Sequence, residues 1–196
     1  GFPSGTTEKL ANWNPYDQNA SADFFEPEWM FGIKNPSPLA GEGQGEGGFD
    51  VVIGNPPYGA SYSEAHKKYF QTHYESAKTI SGKQKGSIDT FSLFIDKGFN
   101  LATYKSVLTY IVPMAIASSD SMTALHNIMF RICETVYIST YSNRPRKIFD
   151  SADQRVAIII CQKNNKPIKN LFTTKVNKRY VNTSVQDEID NLISTK

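Results

Sequence analysis

Short apolar runs alternate with amphipathic segments from Phe49 onward. Four of these runs are rich in β-branched residues and too short for buried helices, so each predicts a strand: Phe49–Ile53, Val107–Val112, Thr135–Tyr141 and Val156–Cys161. In the first run, Val51, Val52 and Ile53 follow one another without polar alternation. This pattern is typical of a strand that is buried on both faces, as in a parallel sheet.

Apolar residues at helical spacing separate the predicted strands. The clearest helix is predicted over Ile88–Ala102, another follows the cap candidates Ser118–Asp120 and ends near Ile132, and an earlier one extends from Ser63 to about Ala77. The link between the last two strands is too short for a helical crossover, so we expect them to be antiparallel neighbours. The order of elements predicts an α/β fold in which parallel strands are joined by an antiparallel edge strand.

The composition changes along the chain and predicts four regions. Residues 1–33 are rich in aromatic and acidic side chains, and residues 34–48 form a Gly/Pro-rich stretch that predicts a flexible insertion. Residues 49–163 hold the predicted strands and helices. Residues 164–196 are predicted to be a linker and the start of a C-terminal extension, with a short amphipathic helix around Val185–Ile193.

Composition narrows the functional classes only slightly. The 196 residues carry a net charge of +2, which is compatible with nucleic-acid binding without arguing for it. Cys133 and Cys161 lie in apolar sequence and predict buried thiols in a reducing compartment, and the three histidines form no cluster that predicts a metal site. The sequence has no apolar run of membrane-spanning length and no secretory pattern at its N-terminus, so we expect a cytoplasmic protein without a membrane partner.

The residues that follow the first predicted strand are the candidate site. Asn55, Pro56, Pro57 and Tyr58 would lie past the carboxyl end of that strand, where open α/β sheets place their ligands. Two consecutive prolines make the loop stiff and present carbonyl groups without N–H donors. The plain structural reading is a turn that starts with Asn-Pro, followed by a tyrosine that caps the strand.

The chemical reading starts from the hydrogen-bond acceptors of this loop. The Asn55 amide oxygen and the Pro56 carbonyl are acceptors, and Tyr58 offers a flat ring face, which together suit an aromatic ring that bears an exocyclic amine. The lone pair of such an amine is delocalised into the ring, so the nitrogen is a poor nucleophile. Two acceptors that hold its hydrogens would draw it toward tetrahedral geometry, and no strong base would be needed. No Ser/His/Asp, Cys/His or phosphate-loop pattern competes with this interpretation.

Asn55-Pro56-Pro57-Tyr58 resembles the catalytic motif of the adenine-N6 DNA methyltransferases of the TaqI-like kind and of the type IIG restriction–modification enzymes that share this domain. Other segments resemble the same enzymes in order along the chain: Tyr16–Gly32, Ser87–Lys97, Val107–Pro113 and Lys147–Phe149. The resemblance implies the C-terminal half of an S-adenosylmethionine (SAM)-dependent, Rossmann-like methyltransferase sheet, with residues 49–163 as a partial catalytic domain.

The resemblance also implies a mechanism. A target adenine would leave double-stranded DNA, which costs a few kcal/mol. Stacking on Tyr58 and a contact with Phe149 would offset about 1–3 kcal/mol per stacked ring. Asn55 and Pro56 would orient N6 toward the methyl group of SAM, and in-line positioning would supply most of the rate. Since the ring supplies the stacking, we expect Tyr58→Ala to weaken base flipping and Tyr58→Phe to have a mild effect.

One expected part of such an enzyme is not visible in the sequence. These methyltransferases bind SAM through a glycine-rich loop after the first strand and an acid after the second, and no such pattern precedes Asn55. We therefore expect a fragment or truncated paralogue of such an enzyme, with an incomplete cofactor site and no turnover by the chain alone; a chain that carries the SAM-binding half is a candidate partner. Two alternatives remain open: a protein glutamine-N5 methyltransferase, which uses the same four residues on a planar amide, and a non-catalytic remnant or subunit.

Overall fold

The computed structural model describes residues 4–14, 16–17, 48–79, 86–149, 153–179, 184 and 187. The chain divides into two units, Gly1–Gly48 and Phe49–Lys196. In the first unit the structure describes one helix, α1 (Ser4–Asn12). Most of the predicted aromatic region, nearly all of the insertion at 34–48 and most of the predicted helix at Val185–Ile193 lie outside the described residues.

The second unit contains a five-stranded sheet and its helices. The strands are β1 (Phe49–Gly54), β2 (Ala102–Pro113), β3 (Cys133–Tyr141), β4 (Val156–Lys163) and β5 (Asn170–Thr173). The helices are α2 (Glu64–His73), α3 (Thr90–Leu101), α4 (Ala115–Ser118) and α5 (Thr123–Ile132), with single 3₁₀ turns at Glu75–Ala77 and Asp120–Met122.

The strand order of the sheet is β1-β2-β4-β3-β5. β1 is parallel to β2 and β5 is parallel to β3, while β4 is antiparallel to both of its neighbours. β1, β2, β3 and β5 therefore run in one direction, and β4 alone runs in the other. The carboxyl ends of four strands consequently meet at one edge of the sheet, which we call the carboxyl edge.

The predicted fold class is confirmed, and two details differ from the sequence analysis. β3 and β4 are antiparallel neighbours as expected, but the antiparallel strand lies inside the sheet and not at its edge. β1 is the edge strand, and the prediction that it is buried on both faces is wrong. Val51 and Ile53 are 60% and 77% exposed, because only one strand among the described residues pairs with β1 and their face of the sheet is open.

One face of the sheet is covered by α3 and α5. Leu108 and Tyr110 of β2 point to this face together with Cys161 and Ile159 of β4, their cross-strand partners, and all four are buried. The helix comes very close to the sheet, since a Cβ on Gly98 of α3 would lie 2.8 Å from the Leu108 side chain. Glycine at this position therefore lets the helix pack on the strand.

Polar contacts fasten the covering helices. Asp96 of α3 is buried and accepts a hydrogen bond of 2.8 Å from the backbone N–H of Ser76, and burial raises the pKa of its carboxyl group. Next to it, Arg131 of α5 donates two hydrogen bonds of 2.7 and 2.8 Å to Glu75, and these bonds lower the pKa of Glu75. At the other end of α3, Lys163 Nζ donates to the carbonyls of Phe99 and Ala102, which caps the last turn.

The opposite face of the sheet carries apolar side chains that remain accessible. Its members come from four strands and are at least 41% exposed: Val51, Ile53, Tyr137, Ile160 and Phe172. The cross-strand pairs Val51–Val107, Ile53–Thr109, Thr109–Ile160, Tyr137–Ile160 and Tyr137–Phe172 place them side by side. Tyr137 and Phe172 stack with their ring centroids 4.8 Å apart. We call this surface the open face.

Candidate functional site

The carboxyl edge collects the loops that follow the parallel strands. Asn55 to Tyr58 follow β1, Met114 follows β2, residues 142–149 follow β3 and residues 174–179 follow β5. The edge is held together by main-chain hydrogen bonds, from Met114 N–H to the Arg155 carbonyl (2.9 Å) and from Ser142 N–H to the Asn177 carbonyl (2.8 Å). Segments that are far apart in sequence therefore form one surface.

The Asn55 and Tyr58 side chains lie in direct contact. The Tyr58 hydroxyl is 2.8 Å from Asn55 Oδ1 and 3.0 Å from the backbone carbonyl of Ile111 in β2. The Tyr58 ring is half-buried and packs against the main core, and burial raises the pKa of its hydroxyl. The hydroxyl is therefore protonated at neutral pH and can donate a hydrogen bond.

The other loop residues differ in burial. Pro56 is buried, whereas Asn55 and Pro57 are exposed. Gly59, which ends the loop, has a φ of 71°, a conformation that residues with a Cβ rarely adopt. The buried proline and the left-handed glycine hold a short, rigid loop that leaves the Asn55 amide at the surface.

Gly54 sets the approach of the loop to the core. It pairs with Tyr110 of β2, and a Cβ at position 54 would lie 2.7 Å from Cε1 of the Tyr110 ring. On the far side of the ring, a Cβ on Gly98 would lie 2.7 Å from the Tyr110 hydroxyl. Two glycines thus admit one buried tyrosine between the end of β1 and helix α3.

Phe149 lies in the loop between β3 and β4 and is half-buried. Its loop belongs to the carboxyl edge, on which Asn55 and Tyr58 also lie, although β2 and β4 stand between β1 and β3 in the sheet. The structure therefore brings Asn55 and Tyr58 into contact and places Phe149 on the same edge. The role of Phe149 stays a prediction.

Basic side chains are concentrated in two of the loops at this edge. The described parts of the loops after β3 and β5 hold Arg144, Arg146, Lys147, Arg155, Lys175, Lys178 and Arg179 against one acid, Asp153. Asp153 accepts a hydrogen bond from Asn143 and lies 3.7 Å from Lys147. The two loops are joined where Arg146 N–H donates to the Arg179 carbonyl. These two loops are therefore strongly basic although the net charge of the whole chain is only +2. We call them the basic loops.

An open cavity of about 430 Å³ adjoins the candidate loop. Ala60 to Tyr62 form one wall, Gly86 to Asp89 form another, and Lys67 and Ser121 complete the lining. Tyr62 is held in place by a 2.7 Å hydrogen bond with Thr90, the first residue of α3. The lining is mainly polar, with hydroxyl groups from four residues.

The described residues do not fit a SAM site. The loops after β1, β2, β3 and β5 begin with Asn55, Met114, Ser142 and Thr174, and none of them is a glycine-rich turn. Among the described residues, no group of three or more His, Cys, Asp or Glu side chains is arranged to hold a metal ion. No described helix is long and apolar enough to cross a membrane.

The Ile111 carbonyl is a site group that could not be predicted from the sequence. This group fixes the Tyr58 hydroxyl from the neighbouring strand, 53 residues along the chain. A backbone carbonyl has no signature in the sequence, and its partner is apparent only once the register of β1 and β2 is known.

Solved structures with a similar fold come from restriction–modification enzymes and methyltransferases. The enzyme DrdV, solved in complex with DNA, is 15% identical with a TM-score of 0.52, and the match covers 74% of this chain and 16% of DrdV. The Type ISP restriction–modification enzyme LlaGI, solved as a nuclease-deletion mutant with a DNA substrate mimic, is 16% identical with a TM-score of 0.52, covering 76% of this chain and 14% of LlaGI. At these identities the similarity shows the fold alone.

A protein from Listeria monocytogenes, assigned as a class I SAM-dependent methyltransferase, has the same fold. It is 19% identical with a TM-score of 0.50, and the match covers 76% of this chain and 42% of that protein. The chain therefore spans less than half the length of each of these three structures. No curated protein matches the sequence.

The family of the chain is shown by a match to a family model. The model of the Eco57I restriction-modification methylase matches residues 5–149, which include the candidate loop and β1 to β3. Because this match spans most of the 196 residues, the chain belongs to the Eco57I restriction-modification methylase family.

Proposed function

We propose that this chain forms the base-binding part of an adenine-N6-specific DNA methyltransferase in a restriction–modification system. The observation that carries the proposal is the loop after β1, where the exposed Asn55 amide lies 2.8 Å from the hydroxyl of the half-buried Tyr58 ring. An acceptor and an aromatic surface are thus held side by side at the carboxyl edge. Membership of a methylase family supports a methyl-transfer role for this edge.

The chemistry of the loop favours an exocyclic amine on a planar base. Adenine N6 offers two hydrogens, which the Asn55 amide oxygen and the Pro56 carbonyl can accept. The Tyr58 ring offers a stacking surface for the same base, worth about 1–3 kcal/mol. No strong base is required in this scheme, because the hydrogen bonds raise the electron density on N6 without removing a proton.

The basic loops support double-stranded DNA as the substrate. Seven basic side chains and one acid in the described parts of these loops would face a polyanion that lies along the carboxyl edge, on which the candidate loop also lies, and contacts to its phosphates would fix position and register. A base that is buried in a duplex must be extruded before it reaches the loop, at a cost of a few kcal/mol. Phe149 is our candidate for the second contact to the extruded adenine, and the polar cavity behind Ala60 to Tyr62 suits the sugar–phosphate that flanks it.

SAM is the methyl donor that this proposal requires, and it supplies an activated methyl group when bound. The sequence before Asn55 has no strand followed by a glycine-rich SAM loop, and none of the described loops at the carboxyl edge is such a turn, so we assign the cofactor site to a further polypeptide segment. One edge of β1 pairs with no strand among the described residues, and this edge together with the exposed Val51 and Ile53 supports the assignment. Parallel strands are ordinarily covered on both faces, and an added parallel strand with its helix would cover these two side chains.

Methyl transfer tests the proposal. The chain, supplemented with a polypeptide that carries a glycine-rich SAM loop, is incubated with methyl-labelled SAM and mixed-sequence duplex DNA, and the DNA is digested to nucleosides. We expect label in N6-methyladenine, at least 100-fold less label with Asn55→Ala, and unchanged binding of that variant to the fully paired mixed-sequence duplex. Label in N4-methylcytosine would refute adenine specificity, and label in the glutamine of an added protein substrate would favour the glutamine-N5 alternative.

A separate measurement tests whether the cofactor site lies in another segment. Calorimetric titration of SAM into the chain alone is expected to show no binding in the micromolar range. Micromolar affinity would contradict the assignment of the cofactor site to another segment. It would leave the assignment of Asn55 and Tyr58 untouched.

A further inference from the structure

The Tyr58 hydroxyl is in an unusual position for a residue whose ring alone is expected to matter. Its single proton lies within hydrogen-bond distance of two oxygen atoms, Asn55 Oδ1 at 2.8 Å and the Ile111 carbonyl at 3.0 Å. A hydroxyl group donates one hydrogen bond and can accept others. The backbone carbonyl can only accept, so one of the two close contacts is left without a proton as long as Oδ1 faces Tyr58.

A half-turn of the Asn55 carboxamide resolves this conflict. The Cβ–Cγ torsion of asparagine is broad and nearly two-fold, and rotation about it exchanges Oδ1 and Nδ2 without moving Tyr58. Asn55 is exposed, so no packing opposes the turn. After the turn, Nδ2 donates to the Tyr58 hydroxyl and the hydroxyl donates to the Ile111 carbonyl. Both close contacts of the Tyr58 hydroxyl then contain a proton, and Asn55 Oδ1 points away from Tyr58.

We propose that the Tyr58 hydroxyl is a positioning group, which takes its direction from the Ile111 carbonyl and turns Asn55 Oδ1 outward to accept the exocyclic amine of the base. The inference rests on the proposed function and deepens it, since it assigns the orientation of the acceptor to a relay between β1 and β2. The arrangement with Oδ1 against Tyr58 is then the resting one, in which the acceptor is capped. Binding of the amine selects the turned arrangement.

This relay changes the expectation for Tyr58→Phe. The phenylalanine ring keeps the stacking surface. It removes the hydroxyl that donates to the Ile111 carbonyl and that orients the Asn55 amide. A lost hydrogen bond of this kind corresponds to about 0.5–1.5 kcal/mol, or about a threefold to tenfold change in an equilibrium. The effect should fall on the recognition of the amine and not on stacking.

Nuclear magnetic resonance of the free chain tests the relay without a ligand. In the isotopically labelled wild-type protein we expect a slowly exchanging Tyr58 hydroxyl proton, and a shift of the Ile111 carbonyl carbon in Tyr58→Phe. The control variant is Tyr69→Phe, since Tyr69 is 54% exposed on α2 and stacks on His73, away from the loop. An Ile111 carbonyl signal that is the same in wild type and Tyr58→Phe would overturn the relay.

The turn of the amide is tested by adding DNA to the wild-type protein. The probes are two duplexes that present either an unpaired adenine or, at the same position, an unpaired purine base, which lacks the exocyclic amine. With the adenine probe, a cross-relaxation signal between the Tyr58 hydroxyl proton and the Asn55 Nδ2 protons is expected to appear. If Nδ2 remains distant from the hydroxyl while adenine is bound, the turned arrangement is wrong. This arm needs no variant, so a failure of Tyr58→Phe to fold would not affect it.

Affinities for the two probes separate the inference from the proposed function. Wild type should prefer adenine to purine, Tyr58→Phe should lose about threefold to tenfold of that preference, and binding of the purine probe should change less than twofold. If wild type shows no preference for adenine, the proposed function fails while the free-chain signals still decide the relay. If wild type prefers adenine and Tyr58→Phe does so equally, the relay fails and the proposed function stands.

Discussion

The two faces of one sheet carry similar apolar side chains in very different surroundings. On the covered face, Leu108 is fully buried beneath α3 and α5. On the open face, Ile53 is 77% exposed, although it comes from an equally apolar strand. The side chains of a strand alternate between faces, so β1 and β2 each contribute to both surroundings.

This difference shows that the open face gains much less stability from its apolar residues than the covered face does. Burial of an aliphatic side chain contributes about 1.5–3 kcal/mol, which Leu108 gains and Ile53 does not. Contiguous apolar patches on a surface commonly mark interaction sites. The contrast therefore separates residues that hold this unit together from residues that, in our proposal, hold the cofactor-binding segment.

The largest expected effect is on the covered face. Leu108→Ala removes a fully buried side chain beside Gly98 and should lower the free energy of unfolding by about 2–5 kcal/mol, measured by urea denaturation. Ile53→Ala is the matched control on the open face and should change it by less than about 0.5 kcal/mol. Equal losses for the two variants would remove the distinction between the faces.

A smaller effect is expected where the candidate loop meets the covered face. Gly54→Ala would place a Cβ against the buried Tyr110 ring, so it should destabilise the protein by about 1–3 kcal/mol and move the start of the loop. Gly5→Ala is the control, since nothing lies within 4 Å of the added Cβ there. If thermal denaturation shows no loss for Gly54→Ala, the loop is not anchored through Tyr110.

The open face should respond only weakly to polar substitution. Tyr137→Thr removes the stack with Phe172 and should cost about 0.5–1 kcal/mol of unfolding free energy. Because it also reduces an exposed apolar surface, its solubility should increase. A loss above about 2 kcal/mol in urea denaturation would mean that this face belongs to the core of the unit.

The smallest expected effect is a change in the pH dependence of the free energy of unfolding. It concerns only the helices that cover the sheet. The pKa of Asp96 is raised by burial, so its contribution to stability is fully present below the unfolded pKa and is lost as the pH rises through the folded pKa. Asp96→Asn removes this loss and can still accept the Ser76 N–H. Its free energy of unfolding relative to wild type should therefore increase as the pH rises from the unfolded pKa of Asp96 through its raised folded pKa.

Glu75 should change the pH dependence of the free energy of unfolding in the opposite direction. Its pKa is lowered chiefly by the hydrogen bonds from Arg131, so its contribution is present above its unfolded pKa and is lost as the pH falls. Glu75→Gln should thus lose stability relative to wild type as the pH rises through the lowered folded pKa toward the unfolded pKa of Glu75, whereas Asp96→Asn gains it as the pH rises above the unfolded pKa of Asp96. Parallel curves for the two variants would show that the charges around the Glu75–Ala77 turn act differently from this account.

Elements with strong local signals could be predicted from the sequence. Ser63 caps α2 by accepting a hydrogen bond from His66 N–H, and the apolar spacing located α3 to within two residues. The match of the family model confirms the resemblance to restriction–modification methyltransferases that the motif around Asn55 indicated. Both successes rest on residues that are close together in the chain.

Features that depend on distant segments could not be predicted. β5 (Asn170–Thr173) has only four residues, of which Leu171 and Phe172 are adjacent and apolar, so the sequence showed no strand-like alternation; the strand exists because β3 offers an edge to pair with. Likewise, Val51 to Ile53 give the same sequence pattern whether or not another strand covers them. The Tyr58–Ile111 contact joins two strands whose register was unknown.

The most direct test of the central claim is the binding of an amino group by Asn55. Duplexes with an unpaired adenine or an unpaired purine base are titrated against wild type and Asn55→Ala by fluorescence anisotropy. We predict that wild type binds the adenine duplex about tenfold more tightly, that Asn55→Ala binds both duplexes equally, and that both proteins bind the purine duplex alike. An adenine preference that persists in Asn55→Ala would contradict the assignment of this loop as the site that holds the target amine.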